Sequence, residues 1–300
     1  MCRAGGPPVV QHRAGLGQDL GLGEGWAWRA TLVGGAVLLC VVLLLLPLAV
    51  LFTEAFSGGI GAFWAAVTDP DAAAAVRLTL LVAAIVVPAN TLFGLAAAWC
   101  ITRFRFGGRR LLRVLVGLPF SVSPVISGLV YVLMFGAQGW FGPALSDTGL
   151  RIIFAVPGIV LATLFVTLPF VAGQLIPLMG AQGVDEEEAA LTLGANGLQM
   201  FWHVTLPKIR WGLLFGVLLC SARSMGEFGA VSVVSGRIRG VTNTVPLHIE
   251  VLYQEYNIAA AFGVATLLAS MALVTIALRA GLDWWQDIRR TRGSQAQMVT

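Results

Sequence analysis

The sequence predicts an all-α protein, a polytopic bundle of about six transmembrane helices. Three observations lead to this fold class. Hydrophobic residues make up 57% of the chain and charged residues only 11%, against about 25% charged residues in ordinary globular proteins. The mean hydropathy is +0.84. The charges also cluster between long uncharged runs, which exceed the roughly 20 residues that a helix needs to cross a bilayer.

Five such runs, together with a sixth apolar stretch that Arg223 and Glu227 interrupt, give the predicted spans in chain order. We expect a transmembrane domain over residues 30–285, with spans near residues 30–53, 78–102, 114–135, 155–180, 211–235 and 257–278. Prolines within the third and fourth spans predict kinked or broken helices. Residues 1–29 contain Gly, Pro and Arg without apolar periodicity, so we expect a flexible tail there. Residues 286–300 are expected to form a second tail.

The basic residues predict the orientation of the bundle. With six spans and an N-terminus inside the cell, 14 of the 19 Lys and Arg residues fall on one side of the membrane. The positive-inside rule assigns that side to the cytoplasm. Both termini and the segment from residue 185 to residue 207 are then cytoplasmic.

The sequence offers little support for catalysis or cofactor binding. It contains no G-x-x-x-x-G-K-[ST] phosphate-binding loop, and its single lysine is Lys208. His12, His203 and His248 show no ligand-like spacing, so we expect no metal site. No nucleophile is paired with a histidine in a way that predicts an active site. We therefore expect neither an enzyme nor a chain that binds a cofactor.

The segment "DEEEAALTLGANGLQMFWHVTLP", residues 185–207, has clear signals for where helices begin and end. Asp185 can cap a helix N-terminus, and Glu188 can complete a capping box. Gly194 predicts a left-handed stop. Pro207 suits the first turn of the helix that enters the fifth span. The pattern predicts a short, stiff helix tied to a span, which can transmit force or set a position.

The same segment resembles the EAA loop of ABC-importer permeases. The elements Glu188-Ala189-Ala190, Gly194, Val204 and Leu206-Pro207 follow that pattern at every spacing, with valine in place of the usual isoleucine. In that family the loop forms a coupling helix that docks into the cytoplasmic ATPase, so the resemblance implies this role for these seven residues. An amphipathic interfacial helix without a partner is the alternative.

Residues 221–257, "SARSMGEFGAVSVVSGRIRGVTNTVPLHIEVLYQEYN", resemble the CysW family of sulfate/thiosulfate permeases. "GEFGA" alone is shared with molybdate permeases, so a molybdate or tungstate importer is the alternative. The continuation is more similar to the sulfate family.

The resemblance implies a type I ABC importer permease fold in a bacterial inner membrane, which imports its anion by alternating access. It implies a heterodimer with a second homologous permease, an ATPase homodimer that holds ATP and Mg, and a periplasmic sulfate-binding protein.

Two pairs of charged residues are further candidates. Arg223 and Glu227 lie four apart in the fifth span, so on a helix they share a face and can pair. Because a charge inside a membrane is costly, they either line the translocation path or form a packing or gate contact. Arg237 and Arg239 fall on the predicted outer side. They either attract the anion or its delivery protein, or they are ordinary loop residues.

Overall fold

A computed structural model describes residues 26–297 of the 300-residue chain, and every regular element in that part is helical. The side chains of residues 282–297 are outside the described part, and so is most of the predicted N-terminal tail. The helices are α1 (Trp26–Ala55), α2 (Gly59–Thr68), α3 (Pro70–Arg103), α4 (Arg109–Ser121), α5 (Pro124–Phe135), α6 (Gly142–Thr148), α7 (Val156–Thr167), α8 (Pro169–Ala181), α9 (Asp185–Thr192), α10 (Gly197–Met200), α11 (Leu206–Met225), α12 (Gly229–Val234), α13 (Val245–Gln254) and α14 (Ile258–Gln297). A π-helical segment, Phe201–Thr205, joins α10 to α11.

The prediction of about six spans is confirmed. Within the described residues, five helical stretches are long and apolar enough to cross a membrane, and a bent pair of helices makes a sixth. The five stretches are Ala30–Ala55, Pro70–Arg103, Val156–Ala181, Gly197–Met225 and Ile258–Leu278. The bent pair is α4 with α5.

The third predicted span, residues 114–135, is not one helix. α4 and α5 meet at an angle of 106°, with Val122 and Ser123 extended between them. Pro124 opens α5. Because a proline disfavours the helical conformation of the residue before it, Ser123 is extended and α4 cannot continue directly into α5.

The fifth predicted span, residues 211–235, is not a single helix either. The apolar helical stretch begins earlier, at Gly197, and α11 ends at Met225. Gly226, Glu227 and Phe228 are not helical, and the short α12 follows them. The Glu227 side chain accepts a hydrogen bond from the backbone N–H of Ala230 at 3.0 Å. This bond satisfies a free donor in the first turn of α12, which stabilises a new helix start.

Other predicted boundaries shift without changing the order of the spans. α3 begins at Pro70, where Asp69 caps it by accepting from the N–H groups of Asp71 and Ala72. The fourth span consists of α7 and α8, with a break at Pro169. α14 continues to Gln297, so the backbone does not leave the helix at residue 286, where the second tail was predicted to begin.

The chain divides into two units, residues 1–50 and 51–300. The described part of the first unit is the apolar stretch of α1, whose large side chains, such as Leu38 and Leu44, are exposed. The second unit contains the rest of the helices and the apolar core.

Helix α3 is the central element of the second unit because it contributes to each of its main apolar clusters. Val82 and Val86 pack with α7, α12 and α13. Ala98 packs with α8 and α11. Ala72 and Ala75 pack with α13 and α14. A helix of 34 residues is about 50 Å long at 1.5 Å per residue, so α3 connects the two ends of the bundle.

The closest approach of α3 to α8 depends on Gly94. A Cβ atom at Gly94 would lie 2.8 Å from Cβ of Val171 and 2.9 Å from the backbone nitrogen of Ala172. We therefore expect Gly94→Ala to destabilise the purified chain by about 1–3 kcal/mol, the usual cost of overpacking. Thermal unfolding in detergent measures this loss.

Gly173→Ala is the matched control, because Gly173 lies in α8 and a Cβ there would meet nothing within 4 Å. We expect this variant to unfold at or above the wild-type temperature, since alanine favours a helix over glycine by about 1 kcal/mol. Equal melting temperatures for both variants would contradict the packing argument.

Candidate functional site

The coupling segment, residues 185–207, begins with α9 and a glycine stop. Gly194 has a φ of +89°, which is favourable only for glycine. Its N–H donates to the carbonyl of Leu191 at 3.0 Å, and the N–H of Ala195 donates to that of Ala190 at 3.1 Å. This pair of bonds is a Schellman motif. The predicted left-handed stop at Gly194 is confirmed.

The start of α9 differs from the prediction. Asp185 is already the first helical residue, the residue before it is Val184, and no side chain caps the helix. The capping box lies further on, where the Asn196 side chain accepts from the N–H of Gln199 and the Gln199 side chain accepts from the N–H of Asn196. The acidic first turn of α9 is stabilised by the helix dipole instead.

The coupling segment continues into α11 without a turn. The π-helical segment between α10 and α11 contains Val204, and the N–H of Leu206 donates to the carbonyl of Phe201. Pro207 lies in the first turn of α11. Because Pro207 has no N–H and its ring excludes the carbonyl four residues earlier, the backbone widens into a π segment just before it. The segment and α11 are therefore one continuous helical body from Gly197 onward.

One side of the coupling segment is exposed. Glu188 and Ala189 are exposed, and Ala190 is half-buried. Four large apolar side chains of the same segment are also exposed, namely Leu191 (49% exposed), Leu193 (88%), Leu198 (70%) and Trp202 (60%). Several exposed large apolar side chains within one short segment favour a role in protein binding.

A buried carboxylate, Glu187, which is not among the predicted site residues, connects α9 to the end of α3. Glu187 is 5% exposed. Its Oε2 lies 2.5 Å from Nε of Arg103 at the end of α3, and its Oε1 accepts a hydrogen bond from the Thr205 hydroxyl at 2.8 Å. Nothing in the sequence distinguishes Glu187 from its acidic neighbours, because both of its partners are distant along the chain.

A second, exposed ion pair lies next to the first one. Nζ of Lys208 is 3.0 Å from Oε1 of Glu186, whose side chain is 64% exposed. The Gln182 side chain donates to the carbonyl of Lys208 at 3.2 Å. Lys208 thus connects α11 to the end of α8, and its exposed pair with Glu186 contributes little to stability.

Arg223 and Glu227 pair as predicted, but for a different reason. Nη2 of Arg223 lies 2.6 Å from Oε2 of Glu227. They do not share a helix face, because α11 ends at Met225 and Glu227 lies in the non-helical break. The Glu227 side chain is 1% exposed and that of Arg223 is 33% exposed. Glu227 therefore depends on Arg223 as its counter-ion and also holds the start of α12.

Arg237 and Arg239 each pair with a carboxylate. Arg237 lies 3.3 Å from Glu250 of α13, and Arg239 forms an ion pair and a hydrogen bond with Glu255. The hydrogen bond from Arg239 lowers the pKa of Glu255 and raises that of Arg239 above its ordinary value. Glu250 and Glu255 therefore neutralise the two arginines by direct contact.

The predicted site residues therefore lie in three separate sets of contacts. The coupling segment is at the Arg103 end of α3. The Arg223–Glu227 pair is at the break after α11, and Arg237 and Arg239 contact residues of α13 or just beyond it. Within the described residues, no three His, Cys, Asp or Glu side chains are grouped so that they could hold a metal ion.

His248 in α13 makes stability dependent on pH. The side chain is 2% exposed, and burial lowers the pKa of His248 from its ordinary value of 6.5. Asp69, Asp71 and Glu255 oppose this shift, while Arg239 adds to it. The folded chain therefore binds the His248 proton more weakly than the unfolded chain, which takes it up as the pH falls through 6.5.

We expect the purified chain to lose stability as the pH falls from about 7.5 to about 5.5, within the range where histidine titrates. Melting temperatures at both pH values measure the loss. His248→Gln cannot take up this proton, so its melting temperature should fall less over the same interval. An equal fall in both proteins would contradict the assignment to His248.

Comparison with known proteins defines the class of this one. Residues 90–292 match the family described as "Binding-protein-dependent transport system inner membrane component". The family and the helical fold are those of a transport permease, not of an enzyme.

Three relatives make the assignment more specific. The chain is 48% identical to the sulfate transport system permease protein CysW of Escherichia coli K12, covering 89% of this chain and 91% of the relative. It is 49% identical to sulfate permease 2 of the Chlamydomonas reinhardtii chloroplast, with 88% and 71% covered. It is 36% identical to the sulfate transport system permease protein CysT of Salmonella typhimurium, with 81% and 88% covered. The chain belongs to this family of binding-protein-dependent transport permeases, which includes the CysW proteins.

Two solved structures have the same fold. A bacterial ABC transporter that imports the acidic polysaccharide alginate contains a chain similar to this one, with a TM-score of 0.70, 17% identity and coverage of 87% and 94%. The alginate transporter in complex with its alginate-pentasaccharide-bound periplasmic protein gives a TM-score of 0.71 at 18% identity, with coverage of 84% and 93%. This likeness confirms the predicted importer permease fold.

Proposed function

We propose that this chain is a permease subunit of an ATP-driven importer that moves sulfate and thiosulfate from the periplasm to the cytoplasm. The observation that supports sulfate as the substrate is the 48% identity to a CysW sulfate permease over 89% of the chain. Relatives named CysT, at 36% identity, support a second, homologous permease as the other half of a heterodimer. The 14 basic residues on one side support an orientation with both termini in the cytoplasm.

In this proposal the coupling segment binds a separate ATPase homodimer, which holds ATP and Mg. The exposed apolar side chains of this segment, Leu191, Leu193, Leu198 and Trp202, suit a protein partner. Gly194 ends α9 in a fixed geometry, and Val204, Leu206 and Pro207 continue into α11. A displacement of α9 by the ATPase is thus passed into the bundle, where it drives alternating access.

We assign Arg223 and Glu227 to the gate or its packing rather than to anion binding. Glu227 already neutralises Arg223 and accepts from the N–H of Ala230 at the start of α12. A paired guanidinium offers little net charge to a dianion, and release of the anion requires weak binding. Arg237 and Arg239 are also paired, which favours a contact with the periplasmic binding protein over capture of the free anion.

The test is uptake of radiolabelled sulfate in transport-deficient cells that carry this chain with its partner subunits, beside cells that lack only this chain. We expect uptake to require the chain and to be suppressed by excess thiosulfate but not by molybdate. Suppression mainly by molybdate would keep the importer and overturn the substrate. Uptake that does not depend on the chain would overturn the proposal as a whole.

A further inference from the structure

We infer that Arg103 and Glu187 are positioning residues that fasten the coupling helix α9 to α3, so that α3 moves together with α9 during transport. The inference rests on the proposed function and adds a second connection between α9 and the transmembrane bundle. α9 is joined through the backbone only to α8 and, by way of α10, to α11. The Arg103–Glu187 pair adds α3, the central helix of the unit, which is distant from α9 in the sequence.

The contacts around this pair are buried and connect four elements. The side chains of Arg103 and Glu187 are 8% and 7% exposed, and the Nε–Oε2 distance is 2.5 Å. Nη1 of Arg103 donates to the carbonyl of Met179 in α8 at 3.0 Å. The Thr205 hydroxyl, in the π-helical segment, donates to Glu187 at 2.8 Å. α3, α8, α9 and the π-helical segment therefore share one polar contact.

The burial of the pair decides what it does when the ATPase moves α9. An exposed pair can exchange its partner for water at little cost, as can Glu186 with Lys208. A buried carboxylate separated from its counter-ion is left in a poorly solvating environment, so the pair resists separation. Displacement of α9 is thus resisted unless Arg103, and with it the end of α3, follows.

A displacement of α3 would affect α13, which contacts the other end of α3. The hydroxyl of Thr79 in α3 accepts a hydrogen bond from the backbone N–H of Val245, the first residue of α13, at 3.0 Å. Ala72 and Ala75 pack on the same Val245. α13 carries Glu250, the partner of Arg237. The fastening at Glu187 therefore connects the coupling segment through α3 to α13 at the opposite end of the bundle.

The first test compares Glu187→Ala with Glu186→Ala in the complete reconstituted transporter. Both replace a glutamate in the first turn of the same helix by a good helix former, but only one breaks the buried pair. We expect Glu187→Ala to lower the number of sulfate ions moved per ATP hydrolysed by about tenfold, within the usual range of coupling between sites. Glu186→Ala removes an exposed charge from the same turn and leaves the buried pair intact, so it should lower this ratio by clearly less than Glu187→Ala. A purely structural role would lower the amount of assembled transporter and leave this ratio unchanged.

The double variant Arg103→Ala with Glu187→Ala covers the case in which the single variant does not assemble, because it leaves no unpaired buried charge. We expect the double variant to assemble and to show the same low ratio. A wild-type ratio in either variant would overturn the inference.

The second test leaves the pair intact. Spin labels at Ala96 of α3 and Thr192 of α9, both exposed, are introduced into a cysteine-free transporter that retains uptake. We expect the distance between them to be the same in the nucleotide-free and the ATP–vanadate-trapped states, and to become broadly distributed in Glu187→Ala. A distance that differs between the two states of the intact chain would overturn the inference.

The two tests separate this inference from the proposed function. Failure of the wild-type chain to support sulfate uptake would count against the proposed substrate. The label distance requires only assembly with the ATPase, so it reports on the fastening of α9 to α3 whichever anion is carried.

Discussion

Gly194→Pro is expected to abolish sulfate uptake while the chain remains inserted in the membrane. Gly194 has a φ of +89°, whereas proline fixes φ near −65°. Proline also removes the N–H that donates to Leu191 in the Schellman motif. The direction in which α9 leaves the bundle is then lost. We expect uptake to fall by more than about tenfold, because every 1.4 kcal/mol of lost coupling corresponds to a factor of ten.

Gly197→Pro is the control for this prediction. Gly197 is the first residue of α10, after the extended Asn196, and proline is well tolerated at the first position of a helix. We therefore expect uptake close to that of the wild type. Gly194→Ala should lie between the two, since an L-residue in the left-handed region costs about 1–2 kcal/mol. The measurements are initial uptake rates and the amount of chain in isolated membranes. Normal uptake by Gly194→Pro would exclude the proposed role of α9.

The second large effect concerns the pair at the break after α11, where the two partners are not equivalent. Arg223→Gln leaves the Glu227 carboxylate, 1% exposed, without its counter-ion. We expect the free energy of unfolding to fall by about 3–5 kcal/mol, the usual cost of an unpaired buried charge. Glu227→Gln leaves an arginine that is 33% exposed and partly hydrated, and the glutamine can still accept from Ala230. The free energy of unfolding of Glu227→Gln should therefore fall clearly less than that of Arg223→Gln.

Unfolding of the three variants in detergent micelles tests this asymmetry, the third being Arg223→Gln with Glu227→Gln. The double variant carries no unpaired charge, so it should be more stable than Arg223→Gln alone. The double-mutant cycle then gives the interaction energy of the pair. Equal losses for the two single variants would mean that Glu227 is not isolated from water in the folded chain. Retention of sulfate uptake by the double variant would contradict a gate role for the pair.

Several features of the fold could be predicted because their signals are local. The apolar runs predict the number and order of the spans. The start of α3 also has a local signal, since Asp69 caps the helix before Pro70, although the apolar run placed this span near residue 78. Gly194 predicts the end of α9 from an equally local signal, because the stop depends only on the left-handed conformation of that one residue. The Arg223–Glu227 pair could also be predicted, since a spacing of four residues brings two side chains close on a helix and, here, across a helix end.

The break of the third span has a local cause in Pro124, whereas the break after α11 depends on a tertiary contact. There α12 packs on α5, so that a Cβ at Gly128 would lie 2.7 Å from the carbonyl of Ala230, and one at Gly229 would lie 3.0 Å from Cβ of Pro124. Residues 211–235 are mostly apolar, and the spacing of Arg223 and Glu227 fits a helix, so the sequence favoured one helix. The tertiary contact outweighs that local preference.

By itself the sequence determined which segments cross the membrane, where α9 stops and to which family of permeases the chain is similar. Only the tertiary structure decided that Glu187, rather than either of its acidic neighbours, is buried against Arg103. The reason is physical. A local signal depends on the conformation of a few consecutive residues, whereas the partner of a buried charge depends on which helices pack together. Arg103 and Glu187 meet because α3 packs along α8, and α8 leads into α9.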